Sequence, residues 1–201
     1  KLSKLKKREI DIGDFKTLSR GKIYIIQIQE ALSLPDNISA VANAKSSTGR
    51  LDILTRLISD NSSCFDRISK GYTGKVYVEI APISFSIIIK EGIMLNQLRF
   101  HNEQKVITDR QLEKLNSKFN IVENVRQIDN GITISVNLES KEDEPIGFRA
   151  KKNCPAINLT KLNHYKVETF WEKIFSKKGY VTLVPGAFYI LRSKEYITIP
   201  P

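Results

Sequence analysis

The stretch Ala44-Lys45-Ser46-Ser47-Thr48-Gly49-Arg50-Leu51 decides how the rest of this chain is interpreted. Aliphatic, strand-like sequence leads into it from Ile38, and periodic apolar sequence follows it. A strand that breaks into one short helical turn leaves backbone N–H groups without partners, and such groups attract anions. Ser46 and Ser47 add hydroxyl donors, and Arg50 can bind phosphate oxygens through two N–H groups. The octamer alone predicts, with even weight, a phosphate-binding corner or an ordinary polar turn with a solvated arginine.

Short strands separated by turns surround this corner. The run 75–80 (KVYVEI) alternates apolar and polar positions, which is typical of a half-buried strand. Strands are predicted over 21–29, 38–43, 51–58, 75–80, 84–89, 93–100, 131–138 and 146–150. Because no helices alternate with the first six strands, the pattern favours a mainly β (α+β) chain with an antiparallel jelly-roll or barrel-like fold.

Two helices are predicted in the second half of the chain. Thr108-Asp109-Arg110-Gln111 has the sequence of a capping box, and apolar residues follow at helical spacing as far as Phe119. The run 167–175 contains Phe170, Trp171 and Phe175 and predicts an amphipathic helix whose aromatic side chains lie in the core.

The end of the chain repeats its beginning. Residues 21–35 (GKIYIIQIQEALSLP) align without gaps on residues 186–200 (GAFYILRSKEYITIP), at a constant offset of 165 residues. The match predicts tandem copies of one unit and is favoured over a chance likeness of two strand-turn segments. We therefore expect a β domain over 1–103, a linker or insertion with two helices and short strands over 104–180, and the first strand of a truncated second β unit over 181–201.

Composition limits the classes of function. With 201 residues, of which 41% are hydrophobic, the chain can bury a core. No apolar run is long enough to cross a bilayer, and no signal peptide is apparent, although Lys1 is not a methionine. Cys64 and Cys154 lie far apart, which predicts reduced thiols and a cytoplasmic protein.

The formal net charge of +10 indicates a polyanionic partner. A nucleotide and a nucleic acid both fit this charge. The basic run 1–8 is typical of a solvated tail, and no helix-turn-helix, zinc finger or RNA-binding aromatic motif is present. Nucleic acid is therefore unsupported as a partner, and binding to it would have to weaken steeply with salt.

Three blocks of sequence together resemble the dCTP deaminase/dUTPase superfamily, and most of all the long, two-unit dCTP deaminases of alphaproteobacteria. They are 45–51 (KSSTGRL), 71–80 (GYTGKVYVEI) and 92–100 (GIMLNQLRF), in the family's order and spacing apart from extra residues around 60–64. The resemblance implies a dUTPase-like distorted jelly roll, a homotrimer or an assembly with the missing second unit, and sites between subunits or units.

The resemblance also implies a substrate, a deoxynucleoside triphosphate such as dCTP that carries Mg²⁺. It assigns phosphate contacts to Lys45, Ser46, Ser47 and Arg50, the general base to Glu79, and structural places near the site to Gly49, Gly71 and Gln97. The implied reaction is hydrolytic deamination of dCTP to dUTP and ammonia, and the sequence does not decide whether the product goes on to dUMP.

The chemistry that deamination requires also points to Glu79. Deamination needs an activated water and a proton shuttle, and zinc deaminases obtain the water from a His/Cys cluster. His101, His164, Cys64 and Cys154 lack ligand spacing, so no zinc is expected, and neither histidine receives a role. Glu79 is a carboxylate within an apolar strand. The pattern alone favours a solvated surface Glu, and the resemblance shifts the balance to catalysis.

Two departures from the family pattern bear on function. Ser69-Lys70-Gly71 stands where the family has an Asp-Pro-Gly turn that holds the sugar, and Asp66 is out of register with it. The absence of an aspartate there also disfavours a dUTPase, since dUTPases place their water-activating Asp in this turn. A catalytically silent nucleotide-binding or structural fragment of the family therefore stays open as the alternative function.

Overall fold

The computed structural model describes residues 12–102, 107–123, 127–139 and 144–200. These residues form two compact units. Unit 1 contains the described residues up to Asn102 together with Lys151–Thr169, and unit 2 contains those of Glu103–Ala150 and Phe170–Pro201.

Most of the regular structure is β. The strands are β1 (Lys16–Leu18), β2 (Tyr24–Ser33), β3 (Ser39–Ala44), β4 (Ile53–Ser59), β5 (Arg67–Ile68), β6 (Thr73–Pro82), β7 (Ile87–Ile89), β8 (Asn96–His101), β9 (Gly147–Ala150), β10 (Ile157–Asn158), β11 (Trp171–Ile174) and β12 (Tyr189–Leu191). The helices are α1 (Ser46–Gly49), α2 (Asp109–Phe119) and α3 (Val167–Phe170). None of these helices is both long and apolar enough to cross a membrane.

Unit 1 is built from three small sheets. Their strand orders are β2-β6-β4, β5-β3-β8 and β1-β7-β10, and all pairings are antiparallel except that of β10 with β7. The mainly β, antiparallel architecture confirms the predicted fold class. The predicted strands around the octamer are present as β2, β3, β4, β6, β7 and β8, with ends shifted by a few residues.

The alternation predicted for 75–80 is confirmed in β6. Val76, Val78 and Ile80 are buried, whereas Tyr77 and Glu79 lie on the other face of the sheet. Strand β4 alternates in the same sense, with four inward side chains. The inner faces form two apolar clusters, one of Leu18, Ile53, Val78, Ile80, Ile87, Ile89 and Leu95 and the other of Ala40, Ala42, Leu57, Ile68 and Val76.

Unit 2 contains helix α2 and the antiparallel sheet β11-β9-β12. The predicted capping box is confirmed, because the Gln111 N–H donates to the Thr108 hydroxyl and the Gln111 side-chain oxygen accepts from the Thr108 N–H. At the centre of the sheet Gly147 approaches strand β12 closely. A Cβ on Gly147 would lie 2.2 Å from the backbone oxygen of Ile190, so no other residue fits there without moving β12.

Two predicted elements are wrong. The helix expected over 167–175 ends at Phe170, and Trp171–Ile174 is instead strand β11, whose backbone bonds are made by β9. Phe170 is buried as expected, but Phe175 is exposed. The strand expected over 131–138 is absent, and only isolated bridges at Ile132 and Val136 form there. In the first case pairing with the distant strand β9 outweighs the local helical preference. In the second case the lack of a continuous partner strand outweighs the local preference for a strand.

The two repeated segments share a local structure. Gly21 and Gly186 both have φ of +72°, a conformation that favours glycine. The hydroxyl of Tyr24 accepts a hydrogen bond from the N–H five residues before it, and the hydroxyl of Tyr189 does the same. The likeness therefore includes the turn before each strand. It ends soon afterwards, since β2 is ten residues long and β12 only three.

Candidate active site

The octamer forms the predicted corner. Strand β3 ends at Ala44, Lys45 remains extended, and Ser46–Gly49 make one turn of helix. The carbonyl oxygen of Lys45 accepts from the N–H groups of Thr48 and Gly49. The corner is thus a short, closed turn that leads directly towards β4.

One carbonyl group fastens this turn to the residue that precedes β8. The backbone oxygen of Leu95 accepts from the Lys45 N–H at 2.9 Å and from the Thr48 hydroxyl at 2.9 Å. Thr48 is only 4% exposed, so water does not compete for this bond. Leu95 belongs to the sequence block 92–100, so these two bonds join that block to the octamer.

The remaining polar groups of the turn face outward. Ser46, Ser47, Gly49 and Arg50 are exposed, and Lys45 is half-buried. Within the described ranges, the hydroxyls of both serines and the guanidinium of Arg50 have no hydrogen-bond partner in the protein. The turn therefore offers hydroxyl and cationic donors together on one surface, as binding of a phosphate chain requires.

Glu79 is not a solvated surface residue. Its side chain is 11% exposed and lies on the outer face of the sheet β2-β6-β4. Arg56, its partner in the β4–β6 register, donates to Glu79 Oε1 from Nε at 2.9 Å and from Nη2 at 2.5 Å. No residue in the described part of the chain bonds to Oε2. Oε1 is therefore held by Arg56, whereas Oε2 has no partner among the described residues.

Arg56 is in turn held by Phe65, since its guanidinium carbon lies 3.9 Å from the centre of the Phe65 ring. Neither residue belongs to a motif that marks a site in the sequence. The alternation in β4 does put Arg56 on the face opposite the buried side chains, but only the β4–β6 register reveals that it meets Glu79. Phe65 follows the extra residues around 60–64, and no pattern in the sequence marks it as a partner of Arg56.

Strand β4 connects the turn to Glu79. Strand β4 starts at Ile53, just after the turn, and Arg56 lies three residues further along it. At a rise of about 3.3 Å per residue, Glu79 is roughly 10 Å along the strand direction from the start of β4. The structure thus brings the two predicted parts of the site into one region without joining them in a single cluster.

Gly71 and Gln97 take different places. Gly71 has φ of +66°, and a Cβ there would lie 2.7 Å from Asp36 Oδ1, so Gly71 is a structural glycine in the turn before β6. Gln97 is exposed on β8, where its register partner is Asn43, close in sequence to the turn. Asp66 accepts from the Leu57 N–H at 2.7 Å through Oδ1, which gives this carboxylate a structural role.

The histidines and cysteines form no site in the described residues. No group of three or more His, Cys, Asp or Glu side chains there could hold a metal ion. His164 packs edge-on against Tyr165, with ring centres 5.0 Å apart. Cys64 and Cys154 are free thiols, as expected. Burial raises the pKa of Cys154, and Lys151 opposes this shift.

Known proteins resemble the chain over nearly its whole length. The model of the 2'-deoxycytidine 5'-triphosphate deaminase (DCD) N-terminal domain matches residues 1–104, and that of the DCD C-terminal domain matches residues 108–201. A dCTP deaminase, dUMP-forming, from Beutenbergia cavernae is 31% identical over 93 residues, which are 46% of this chain and 45% of that protein. The crystal structure of 2'-deoxycytidine 5'-triphosphate deaminase from Agrobacterium tumefaciens superimposes with a TM-score of 0.92 at 37% identity, over 96% of this chain and 57% of that one.

The chain therefore spans about half the length of these two relatives, 45% of one and 57% of the other. The family models leave only a few residues of it unmatched. With the order of the three sequence blocks and the fold, these matches identify the chain as a member of the 2'-deoxycytidine 5'-triphosphate deaminase family.

Proposed function

We propose that the chain carries out hydrolytic deamination of dCTP to dUTP and ammonia, with Glu79 as the general base. The observation that carries this proposal is the state of the Glu79 carboxylate. It is largely shielded from solvent, one oxygen is fixed by Arg56, and the other has no partner among the described residues. A base that must take a proton from water needs a fixed position and a free oxygen.

In the proposed reaction Glu79 Oε2 takes a proton from water while the water oxygen bonds to C4 of cytosine. Glu79 delivers this proton to the ring nitrogen N3, and C4 becomes tetrahedral. Glu79 Oε2 then takes the proton of the new C4 hydroxyl and passes it to the amino group, the C4–N bond breaks, and ammonia leaves as the C4 carbonyl forms. Arg56 keeps its two bonds to Oε1 throughout, so the carboxylate stays oriented in both steps.

The triphosphate would bind at the corner. Ser46 and Ser47 would donate through their hydroxyls, Arg50 through its guanidinium, and Lys45 would add charge beside them. We propose that the nucleotide arrives as its Mg²⁺ complex, with the ion held by the triphosphate and no protein carboxylate assigned to it. The formal charge of +10 supports a polyanionic ligand.

A second protein surface would complete the site, in a homotrimer or in an assembly with a second unit. The outer face around Glu79 supports this proposal, because apolar side chains are left open beside the carboxylate. Ile25, its register partner on β2, Leu54 on β4 and Phe65 are each 45% exposed. A carboxylate ringed by open apolar surface is suited to closure by another chain. We propose that the reaction takes place in the cytoplasm.

The product decides between the main possibilities. Incubation of the chain with dCTP and with dUTP in separate reactions, followed by chromatography of the nucleotides, is expected to give dUTP and ammonia from dCTP and nothing from dUTP. Formation of dUMP from dCTP would extend the reaction to the one that the Beutenbergia relative is named for. Release of dUMP from dUTP alone would contradict the proposal.

A second candidate is a catalytically silent nucleotide-binding subunit. The turn Ser69-Lys70-Gly71 favours it, since the family's sugar-holding aspartate is absent there and Asp66 serves the backbone of Leu57. This candidate gives no ammonia, yet Mg²⁺–dCTP still raises the melting temperature. Arg50→Ala is expected to remove that stabilisation, whereas Arg110→Ala on the exposed side of α2 is the matched control and is expected to keep it.

A further inference from the structure

Asp52 ends the turn that carries Ser46, Ser47 and Arg50, and its backbone is left-handed. Its φ is +55°, and its N–H donates to the Gly49 carbonyl oxygen at 3.0 Å. Residues other than glycine seldom adopt this conformation, although aspartate and asparagine adopt it more readily than the rest. Where such a residue persists, the structure around it holds it in place, and such residues cluster at functional sites. Asp52 lies two residues after Arg50, so this conformation occurs at the cationic end of the turn.

Asp52 makes two bonds to the connection between β6 and β7. Its backbone oxygen accepts from the Ile83 N–H at 3.0 Å, and its side-chain Oδ2 accepts from the Ser84 hydroxyl at 2.6 Å. Asp52 and Ser84 are both half-buried, so water competes with the side-chain bond less than it would at the surface. The main chain and the side chain of one residue thus fasten the turn to the segment that follows β6.

The turn is consequently held at both of its ends. At its start the Leu95 carbonyl oxygen accepts two hydrogen bonds from it. At its end Asp52 reaches the β6–β7 connection. The exposed side chains of Ser46, Ser47 and Arg50 lie between these two anchors in the sequence.

Arg50 is the donor nearest in sequence to the anchor at Asp52. Its own N–H donates to the Ser46 carbonyl oxygen at 2.9 Å, so its backbone belongs to the turn. A guanidinium binds phosphate oxygens through two parallel N–H groups, which requires a defined direction of its plane. A backbone that is already fixed reduces the conformational freedom that must be lost when the side chain binds.

The charge of Asp52 does not favour a phosphate ligand. A carboxylate so close in sequence to the proposed phosphate site repels the anion. What Asp52 contributes is therefore its left-handed backbone and an acceptor oxygen for Ser84. An asparagine could supply both.

We propose that Asp52 is a positioning residue for the nucleotide triphosphate. Held by Ile83 and Ser84, it fixes the end of the turn so that Arg50 and the two serine hydroxyls bind the same phosphate chain. Asp52 itself does not contact the nucleotide and acts through Arg50. The inference rests on the proposed role of this turn in phosphate binding, and it extends the site to the β6–β7 connection.

The test uses inorganic tripolyphosphate with Mg²⁺ as the probe, and its affinity for the whole chain is measured by isothermal titration calorimetry. All variants are compared at a temperature at which circular dichroism shows them folded. Asp52→Ala removes the bond to Ser84 and strains the left-handed backbone, so we expect affinity at least about tenfold weaker. Ser84→Ala removes only the donor to Asp52, and we expect affinity about threefold to tenfold weaker. Because it leaves Asp52 in place, Ser84→Ala tests the proposal even if Asp52→Ala does not fold.

Two variants separate positioning from a general loss of stability. Asp52→Asn keeps an acceptor oxygen and tolerates the same φ, so it is expected to bind the probe within about twofold of the unchanged chain. Asn153 is an exposed residue of unit 1 with φ of +59°, and Asn153→Ala introduces the same kind of backbone strain outside the turn. It is expected to lower stability without changing the affinity for the probe.

Unchanged affinity in Asp52→Ala or in Ser84→Ala would overturn the positioning role and leave the proposed phosphate site in place. A loss in Asp52→Asn equal to that in Asp52→Ala would overturn it as well, because the charge would then be the feature that matters. Weaker binding in Asn153→Ala would attribute the losses to backbone strain in general, with the same consequence. If the unchanged chain does not bind tripolyphosphate, both this inference and the phosphate role of the turn fail, whereas ammonia release from dCTP tests the reaction at Glu79 separately.

Discussion

Removal of Arg56 isolates the contact on which the proposed catalytic carboxylate depends. Arg56→Met keeps much of the length and apolar stem of the side chain but removes both donors to Glu79 Oε1. It also removes the cation that lies 3.9 Å above the Phe65 ring. The variant therefore leaves a largely buried carboxylate without its partner.

The expected cost follows from how buried each partner is. Exposed ion pairs contribute about 0.2–1 kcal/mol, whereas loss of one partner of a fully buried pair costs about 3–5 kcal/mol. Glu79 is 11% and Arg56 37% exposed, which places this pair between the two cases. We expect Arg56→Met to lower the free energy of unfolding by about 2 kcal/mol.

A double-mutant cycle assigns that cost to the pair. In the Glu79→Gln background no charge is left unpaired, so Arg56→Met is expected to cost only about 1 kcal/mol, mostly from the Phe65 contact. Urea unfolding should be followed by circular dichroism, because most of the strands lie in unit 1 whereas Trp171 lies in unit 2. Equal costs of Arg56→Met in both backgrounds would refute the coupling between Arg56 and Glu79.

Three further results are expected. Thr48→Val removes a buried hydrogen bond of the turn and should lower the free energy of unfolding in urea by about 1–2 kcal/mol. It should also weaken Mg²⁺–dCTP binding. Unchanged binding would show that this bond does not shape the site. Gly147→Ala should destabilise unit 2 by about 2–3 kcal/mol, seen in tryptophan fluorescence, while Gly49→Ala, whose Cβ position is open, should not. At pH 8 iodoacetamide should modify the exposed Cys64 faster than Cys154, because burial raises the pKa of Cys154 and lowers its thiolate fraction. Raising the pH should speed up the Cys154 reaction. Equal rates at pH 8 would contradict the effect of burial.

Features with a local physical cause could be predicted from the sequence. The alternation of Val76, Val78 and Ile80, the capping box at Thr108 and the break after Ala44 each depend on neighbouring residues only, and all three are confirmed. The residues that we propose bind phosphate are close together in the sequence, so their common position on one turn could also be predicted.

Features that depend on pairing between distant strands could not be predicted from the sequence. The aromatic residues Phe170, Trp171 and Phe175 have a helical spacing, yet pairing with β9 makes Trp171–Ile174 a strand. The alternation in β4 predicts only that Arg56 faces outward, because its position opposite Glu79 depends on the β4–β6 register.

The central claim is that the carboxylate of Glu79 activates the attacking water. Glu79→Gln keeps the shape of the side chain and removes the base, and Glu113→Gln on exposed helix α2 is its matched control. Ammonia release from dCTP and Mg²⁺–dCTP affinity should be measured for both variants. We predict that Glu79→Gln loses ammonia release by at least about a hundredfold with affinity nearly intact, and that Glu113→Gln changes neither. Undiminished ammonia release in Glu79→Gln would contradict the account.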